Sequence, residues 1–122
     1  MQIVAYCGMP DRALVWLGSS RDDVRAFSPD ARRLAGFQLR RVQQGLDPND
    51  WKTMPALGAG VSEIRIHTAV EHRVVYVAKF AEAVYVLHAF EKKSRRTSKR
   101  DVDVVRLRLH QLLLQRRSRR RA

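Results

Sequence analysis

The pattern of apolar positions in the first third of the chain predicts a strand and then two helices. Residues 13–17 form a short apolar run closed by Gly18, which predicts a strand or buried segment. Serines and aspartates at 19–23 favour a first helix start, and residues 28–30 combine a capping serine with a proline suited to the first helical position. One helix face is then marked by apolar residues at spacings of three or four: Ala31, Ala35, Leu39, Val42 and Leu46. We therefore expect a strand followed by a helical hairpin.

The middle of the chain changes to the period of β-strands. Residues 47–60 contain two prolines and two glycines and show no period, which predicts a loop. Three runs follow. Residues 61–68 alternate, residues 73–80 place Arg73 and Lys79 on the same side, and residues 83–90 are apolar on both faces, as in a central strand. The short turns between these runs indicate an antiparallel meander.

The last quarter predicts one helix and a tail. Ser98 and Asp101 form a capping box. A narrow apolar stripe follows and is expected to dock on the sheet: Val102, Val105, Leu109 and Leu112, with Leu113 beside it. The predicted fold class is α+β, in the order β-α-α-β-β-β-α, with an antiparallel sheet packed by the N-terminal helical hairpin and the C-terminal helix. The domain is placed at 13–114, after an N-terminal extension at 1–12 and before a disordered arginine-rich tail at 115–122.

Composition limits the class of protein. The 122 residues, 45% of them hydrophobic, suffice for one soluble domain with its own core. The single cysteine, Cys7, rules out an intrachain disulfide and has no organised histidine beside it, so a thiol nucleophile is not expected. No cluster has metal-ligand spacing, and no run approaches the roughly 20 apolar residues of a membrane span. We expect a cytoplasmic protein without metal, cofactor or membrane contact.

Charge is concentrated at the C-terminal end. The formal net charge is +12, and residues 92–122 carry thirteen Lys or Arg against two Asp or Glu. A basic loop directly after the last predicted strand contains six of these cations: Lys92, Lys93, Arg95, Arg96, Lys99 and Arg100. Such a surface suits a polyanion, because each cation docked on a nucleic-acid backbone releases condensed counterions. The alternative is a charge run that only solvates the surface.

Candidate chemistry comes from the predicted strands. Arg65, Arg73 and Lys79 on neighbouring strands, with Lys92 and Lys93 at the end of the next, are placed to surround one phosphate. The alternative for each is an exposed strand charge, or a partner for Glu63 or Glu71.

RNA can be cleaved without metal by its own 2′-hydroxyl, provided cations stabilise the phosphorane and other groups carry protons. His67, His88 or a lysine such as Lys93 are candidates for that transfer. A lone histidine in an apolar strand, as at position 88, is more often structural.

Three separated motifs resemble one known family. Leu-Gly-Ala-Gly-Val-Ser-Glu-Ile-Arg-Ile at 57–66 is followed by Arg-Val-Val-Tyr at 73–76, then by Leu-His-Ala-Phe-Glu-Lys-Lys at 87–93 with Thr-Ser-Lys-Arg-Asp at 97–101. Together they resemble the HigB-type toxins, also described as phage-derived, of the RelE/ParE superfamily. The resemblance covers roughly residues 14–113. It leaves Met9 as an alternative start and residues 116–122 as a local addition.

The resemblance implies a type II toxin that cleaves messenger RNA on the ribosome. Its implied partner is a cognate helix-turn-helix antitoxin, through which alone it would meet operator DNA. The resemblance implies functional positions at Arg65, Arg73, Lys92 and Lys93, with Arg73 contributing to phosphate stabilisation. From the residues themselves we predict Arg65 and Arg73 as phosphorane stabilisers and His88 and Lys93 as proton carriers. The predicted RNA-binding set is Lys79, Lys92, Arg95, Arg96, Lys99 and Arg100. Residues 102–114 lack the tyrosine that RelE enzymes often use, so the proton carrier stays open. The alternatives are a ParE-like gyrase poison without nuclease activity and a non-catalytic RNA-binding protein.

Overall fold

The fold is a five-stranded sheet with helices on both faces, in a computed structural model that describes residues 11–121. The elements in chain order are β1 (Ala13–Trp16), α1 (Ser20–Arg25), α2 (Pro29–Gln43), β2 (Trp51–Thr53), β3 (Val61–His67), β4 (Glu71–Val77), β5 (Ala83–Glu91) and α3 (Lys99–Arg121). The α+β class is confirmed. Cys7 and Met9 lie outside the described residues. In the part of the chain that is described, no helix is both long and apolar enough to span a bilayer.

The sheet differs from the prediction in two respects. Its order is β1-β5-β4-β3-β2. The pair β1–β5 is parallel, whereas the other three pairs are antiparallel, so the sheet is mixed. The predicted loop at 47–60 contains the short edge strand β2, which pairs with β3. This strand has only three residues, too few for a visible period, although Trp51 and Thr53 have side chains that favour strands.

One face of the sheet packs against α1 and α2. The Ser28 hydroxyl accepts the Ala31 amide at 3.4 Å, and Pro29 opens the helix, as predicted. The apolar helix positions join those of β3, β4 and β5 in one buried cluster: Val24, Phe27, Ala31, Ala35, Leu39, Val42, Ile64, Ile66, Val74, Tyr76, Val84, Val86 and Ala89. Leu46, predicted for the same face, lies beyond the helix and is exposed.

The opposite face packs against α3. Val105, Leu109 and Leu112 are buried there, which confirms the core of the predicted stripe, whereas Leu113 is exposed. The serine half of the predicted capping box is formed, since the Ser98 hydroxyl accepts the Asp101 amide at 3.1 Å, and the Asp101 carboxylate accepts the Ser98 hydroxyl instead of the Ser98 amide. The tail was predicted to be disordered, but this is wrong, because α3 continues as a helix through Arg121. Arginine is a good helix former, and Arg116 holds the extension by two hydrogen bonds to Glu82.

Arg12, assigned from the sequence to an N-terminal extension, belongs to the folded domain. Its Nη1 donates to the carbonyls of Ala78 at 2.6 Å and Phe80 at 3.1 Å, and its Nη2 donates to that of Val42 at 3.0 Å. One guanidinium thus joins the end of α2 to the end of β4. A side chain that satisfies three backbone carbonyls leaves no periodic signal in the sequence, which is why the prediction missed it.

Candidate functional site

A β-bulge decides which way His88 faces. Val75 pairs with His88, but the adjacent Tyr76 pairs with Val86, so β5 has one extra residue at Leu87. Paired residues share a face of the sheet, and His88 therefore lies with Val75 on the face that packs against α3. Strict alternation would have placed it on the opposite face, in the core beneath α1 and α2.

The bulge brings His88 to the first turn of α3. Its Nε2 lies 2.7 Å from Asp101 Oδ1, and the other carboxylate oxygen of Asp101 accepts the Ser98 hydroxyl at 2.7 Å. The ring stacks on Phe90, with centroids 5.1 Å apart. Nδ1 is buried and has no hydrogen-bond partner among residues 11–121. His88 is thus a histidine held by a carboxylate with its second nitrogen uncommitted, the arrangement of an oriented acid–base group.

Arg65 and Arg73 are direct cross-strand neighbours on the same face, as the sequence predicted. Both point to the carboxylate of Glu63, which is 3% exposed: its Oε1 lies 3.9 Å from Arg65 Nε and 3.6 Å from Arg73 Nε. Both Nε atoms are buried, and neither makes a hydrogen bond within the described part of the chain. A buried carboxylate thus lies between two guanidinium groups. The expected pairing with Glu63 is present alongside the expected convergence of the two arginines.

Arg73 is the first member of a series of ion pairs at the end of β3 and the start of β4. Its Nη1 donates to Glu71 Oε1 and to the His72 carbonyl, both at 3.0 Å. The second oxygen of Glu71 lies 2.7 Å from His67 Nδ1, and Asp50 lies 2.5 Å from His67 Nε2.

Hydrogen bonds to Asp50 and then Glu71 raise the pKa of His67, and those to His67 and then Arg73 lower the pKa of Glu71. Because carboxylates occupy both ring nitrogens of His67, it is a poorer proton carrier than His88.

The basic loop lies between two concavities. One, of about 380 Å³, is lined by Glu71, Arg73, Lys92, Lys93, Ser94 and Arg95. The other, of about 550 Å³, shares Lys92, Lys93 and Ser94 and adds His88, Arg96, Arg100 and Asp101 among its walls. Within residues 11–121, no carboxylate forms a salt bridge with five of the loop cations: Lys92, Lys93, Arg95, Arg96 and Arg100. We call these two concavities and their walls the cationic cleft.

The cationic cleft gathers most of the predicted site residues. Phe90 lies opposite Arg73 in the ladder and under the His88 ring, so Arg73 and His88 are diagonal neighbours, with Cα atoms about 7–8 Å apart. Lys93 lines both concavities. Lys99 instead forms an exposed pair with Asp103 at 3.0 Å.

Lys79 does not join the cleft, which corrects the expected grouping around one phosphate. It follows the far end of β4, six residues and about 20 Å along the strand direction from Arg73. The sequence pattern placed both residues on one side of a strand without showing that its length separates them.

Two acidic members of the site were not predicted in their present roles. Asp101 was interpreted only as a helix cap, and Glu63 only as a possible salt-bridge partner. The spacing of Ser98 and Asp101 signals a cap, but nothing in the sequence marks the bulge that brings His88 to Asp101. Among the described residues, no group of three or more His, Cys, Asp or Glu side chains is arranged to hold a metal ion.

Comparison with known proteins identifies the family. No curated protein is similar enough to this chain to count as a match. The family described as phage-derived protein Gp49-like (DUF891) matches residues 22–110, a range that includes Arg65, Arg73, His88 and the whole basic loop. Since this match covers most of the chain, the protein belongs to the Gp49-like family of phage-derived proteins, a toxin-like family of toxin–antitoxin systems.

Proposed function

We propose that the protein is the toxin of a toxin–antitoxin pair and cleaves messenger RNA without a catalytic metal, on the translating ribosome. The proposal joins membership of the Gp49-like family to the resemblance to HigB-type toxins of the RelE/ParE superfamily. One observation carries most of the argument. Four buried side-chain nitrogens lack a hydrogen-bond partner in the described residues, and three of them, from Arg65, Arg73 and His88, lie on the face that bears the cationic cleft. Buried groups without partners are uncommon and point to a functional role.

The cations suit the charge that develops during RNA cleavage. When the 2′-hydroxyl attacks the adjacent phosphorus, negative charge accumulates on the non-bridging oxygens, and preorganised donors stabilise it most effectively. Arg73 is preorganised, because Glu71 and the His72 carbonyl fix Nη1. Lys92 and Lys93 add charges that no carboxylate neutralises within residues 11–121. Arg65 and Arg73 would stabilise the phosphorane, while Arg95, Arg96 and Arg100 hold the RNA on either side.

His88 and Lys93 are the proposed proton carriers. With Nε2 donating to Asp101, the neutral imidazole of His88 carries its free lone pair on Nδ1. Nδ1 is buried in the free protein, so it accepts a proton only once the bound RNA or a bridging water reaches it, and the Asp101 carboxylate then stabilises the imidazolium. Lys93, exposed in both concavities, supplies a second group for the leaving 5′ oxygen.

A cognate antitoxin is the proposed protein partner, as membership of a toxin-like family suggests. An exposed cleft with five cations unpaired in the described chain is the feature such a partner must neutralise or cover. We propose that it carries a helix-turn-helix domain and that the toxin meets operator DNA only through it.

The test is to map transcript ends by primer extension after the toxin is induced in cells without antitoxin. Arg73→Lys is the informative variant, because Arg73→Ala would leave buried Glu63 with less compensating charge, and breaking a buried pair costs about 3–5 kcal/mol. Lysine keeps the charge but loses the planar donors that suit a phosphorane. We expect cuts within translated codons for the native toxin and at least about tenfold fewer for Arg73→Lys at equal protein level.

Arg33→Lys, on the exposed surface of α2, is the matched control and should cut like the native toxin. Intact transcripts together with an SOS response would contradict the proposal and indicate a gyrase poison. Full cutting by Arg73→Lys would remove Arg73 from the catalytic set.

A further inference from the structure

A second group of cations lies at the C-terminal end of α3, away from the cationic cleft. Two adjoining concavities, of about 370 and 180 Å³, share Arg116 and Arg120 in their walls. The five cations that line them are Lys79, Arg116, Arg117, Arg119 and Arg120, and Glu82 is their acidic neighbour. We call these five cations the C-terminal patch. It lies beyond residue 110, where the family match ends, except for Lys79.

Arg116 fixes this end of the helix on the sheet. Its guanidinium carbon lies 3.6 Å from the centroid of the Phe80 ring, and it donates to both oxygens of Glu82, at 3.0 and 3.2 Å. Glu82 also accepts the Tyr85 hydroxyl at 2.7 Å, and these partners hold its pKa below the ordinary value. Its carboxylate is therefore committed to Arg116 and Tyr85. Within residues 11–121, Lys79, Arg117, Arg119 and Arg120 form no salt bridge.

The patch continues the helix face that is buried nearer the start of α3. Val105, Leu109 and Leu112 pack on the sheet, and positions 116, 119 and 120 follow at the same spacings of three and four residues. The stripe thus changes from leucine to arginine where it reaches the turn between β4 and β5. A helix C-terminus favours cations, but like charges three or four residues apart repel one another. Stability alone gives little reason for such a cluster, whereas a bound polyanion does.

We propose that the C-terminal patch binds the phosphate backbone of folded RNA without reading its bases. Arginine forks match phosphate oxygens. Base stacking requires a free aromatic face, but Arg116 covers one face of Phe80, and Tyr85 packs edge-on at 6.0 Å. A lipid surface fits less well. Among the described residues one exposed leucine, Leu113, lines the patch, which is little apolar surface for insertion, and Leu107 and Leu114 point away from the sheet.

The patch acts separately from the cationic cleft. Asp101 and Arg116 are 15 residues apart on α3, which is about 22 Å along the helix axis. This distance exceeds the screening length of about 8 Å at physiological salt, so the two surfaces engage different phosphates. The inference goes beyond the proposed function, because the patch binds RNA whether or not the cleft cuts it. In this proposal Lys79 binds RNA as part of the C-terminal patch, and not beside Arg65 and Arg73 as predicted.

The test measures binding of the full chain to a fluorescent RNA duplex of about 20 base pairs at several salt concentrations. The variant changes Arg117→Gln, Arg119→Gln and Arg120→Gln and keeps the anchoring Arg116. Its matched control changes Arg32→Gln, Arg33→Gln and Arg40→Gln on α2, which removes the same charge from exposed helix positions. Because each lost phosphate contact lowers the slope of log K against log salt by about 0.9, we expect the slope of the patch variant to fall by about 2–3. The control should keep the native slope.

Three results would overturn the proposal. The first is a patch variant that binds the duplex like the native protein, and the second is a control that loses as much affinity as the patch variant. The third is binding to phosphatidylserine vesicles that depends on the patch while duplex binding does not, which would assign the patch to a membrane. Circular dichroism of both variants checks that α3 remains helical. The experiment measures only binding of the duplex. Its result therefore tests the patch even if the protein cleaves no RNA.

Discussion

At the scale of single residues, Glu63 explains how two arginines occupy opposed positions on one sheet face. Two cations in direct cross-strand contact repel. A carboxylate 3.6 Å from one Nε and 3.9 Å from the other offsets that repulsion and orients both side chains before any phosphate binds. A site whose charges are already in place needs little rearrangement during reaction. Glu63 therefore acts as a positioning residue of the site, because it orients Arg65 and Arg73.

Asp101 is expected to act through His88. Asp101→Asn keeps the size of the side chain but removes the charge that stabilises an imidazolium. We expect cleavage by purified toxin on programmed ribosomes to slow by roughly 10²- to 10⁴-fold, the range of a positioned acid or base. The pH–rate profile should change as well, which a purely structural cap would not cause. Asp103→Asn is the control, since its partner is exposed Lys99. Equal rates for the two variants would exclude this role.

At the scale of helices and strands, the sequence predicts those elements whose position is set by the hydrophobic period or by capping residues. The start of α2 was predictable because the Ser28 hydroxyl accepts a helix-end amide and Pro29, which has no amide hydrogen, fits the first helical position. The shared face of Arg65 and Arg73 was predictable because side chains alternate along neighbouring antiparallel strands. The bulge at Leu87 has no such signature, since one inserted residue in an apolar run leaves the hydrophobic pattern unchanged. The prediction therefore found His88 but not the carboxylate that orients it.

The ion pairs of His67, where β3 ends and β4 begins, should make the stability of the protein depend on pH. The pKa of His67 is raised in the folded state, so its ion pairs stabilise the fold below the ordinary value of 6.5 and lose that effect as pH rises through the raised value. The lowered pKa of Glu71 acts at the other end, since its contribution is lost as pH falls below 4.5 through the lowered value. The pair stabilises most between those limits.

Denaturant unfolding at pH 5.5, within that window, and at pH 9 tests this expectation. Native protein should lose about 1 kcal/mol or less on going to the higher pH through His67, because the pair is exposed. His67→Gln should lack that part of the pH dependence. His110→Gln, an exposed histidine on α3, should behave like the native protein. An unchanged pH dependence in His67→Gln would show that these ion pairs contribute nothing measurable.

At the scale of the whole molecule, the fold determines where the positive charge lies on the surface. The sheet and helices are built from ordinary apolar faces, whereas most of the cations behind the net charge of +12 lie near the two ends of α3. The asymmetry was visible in the sequence, but its division into a cleft and a patch was not. That division depends on α3 continuing to Arg121 and on Arg116 pairing with Glu82, a contact between residues 34 positions apart.

The central claim is that cations in the cleft stabilise attack by the RNA's own 2′-hydroxyl. The most direct measurement is the chemistry of the ends produced when purified toxin cuts a message on ribosomes, compared with a message carrying one 2′-deoxy nucleotide at the cut position. We expect a 5′-hydroxyl on the downstream fragment, a 2′,3′-cyclic or 3′-phosphate on the upstream one, and no cut at the 2′-deoxy position. A 5′-phosphate on the downstream fragment, or cleavage that persists at the 2′-deoxy nucleotide, would contradict it.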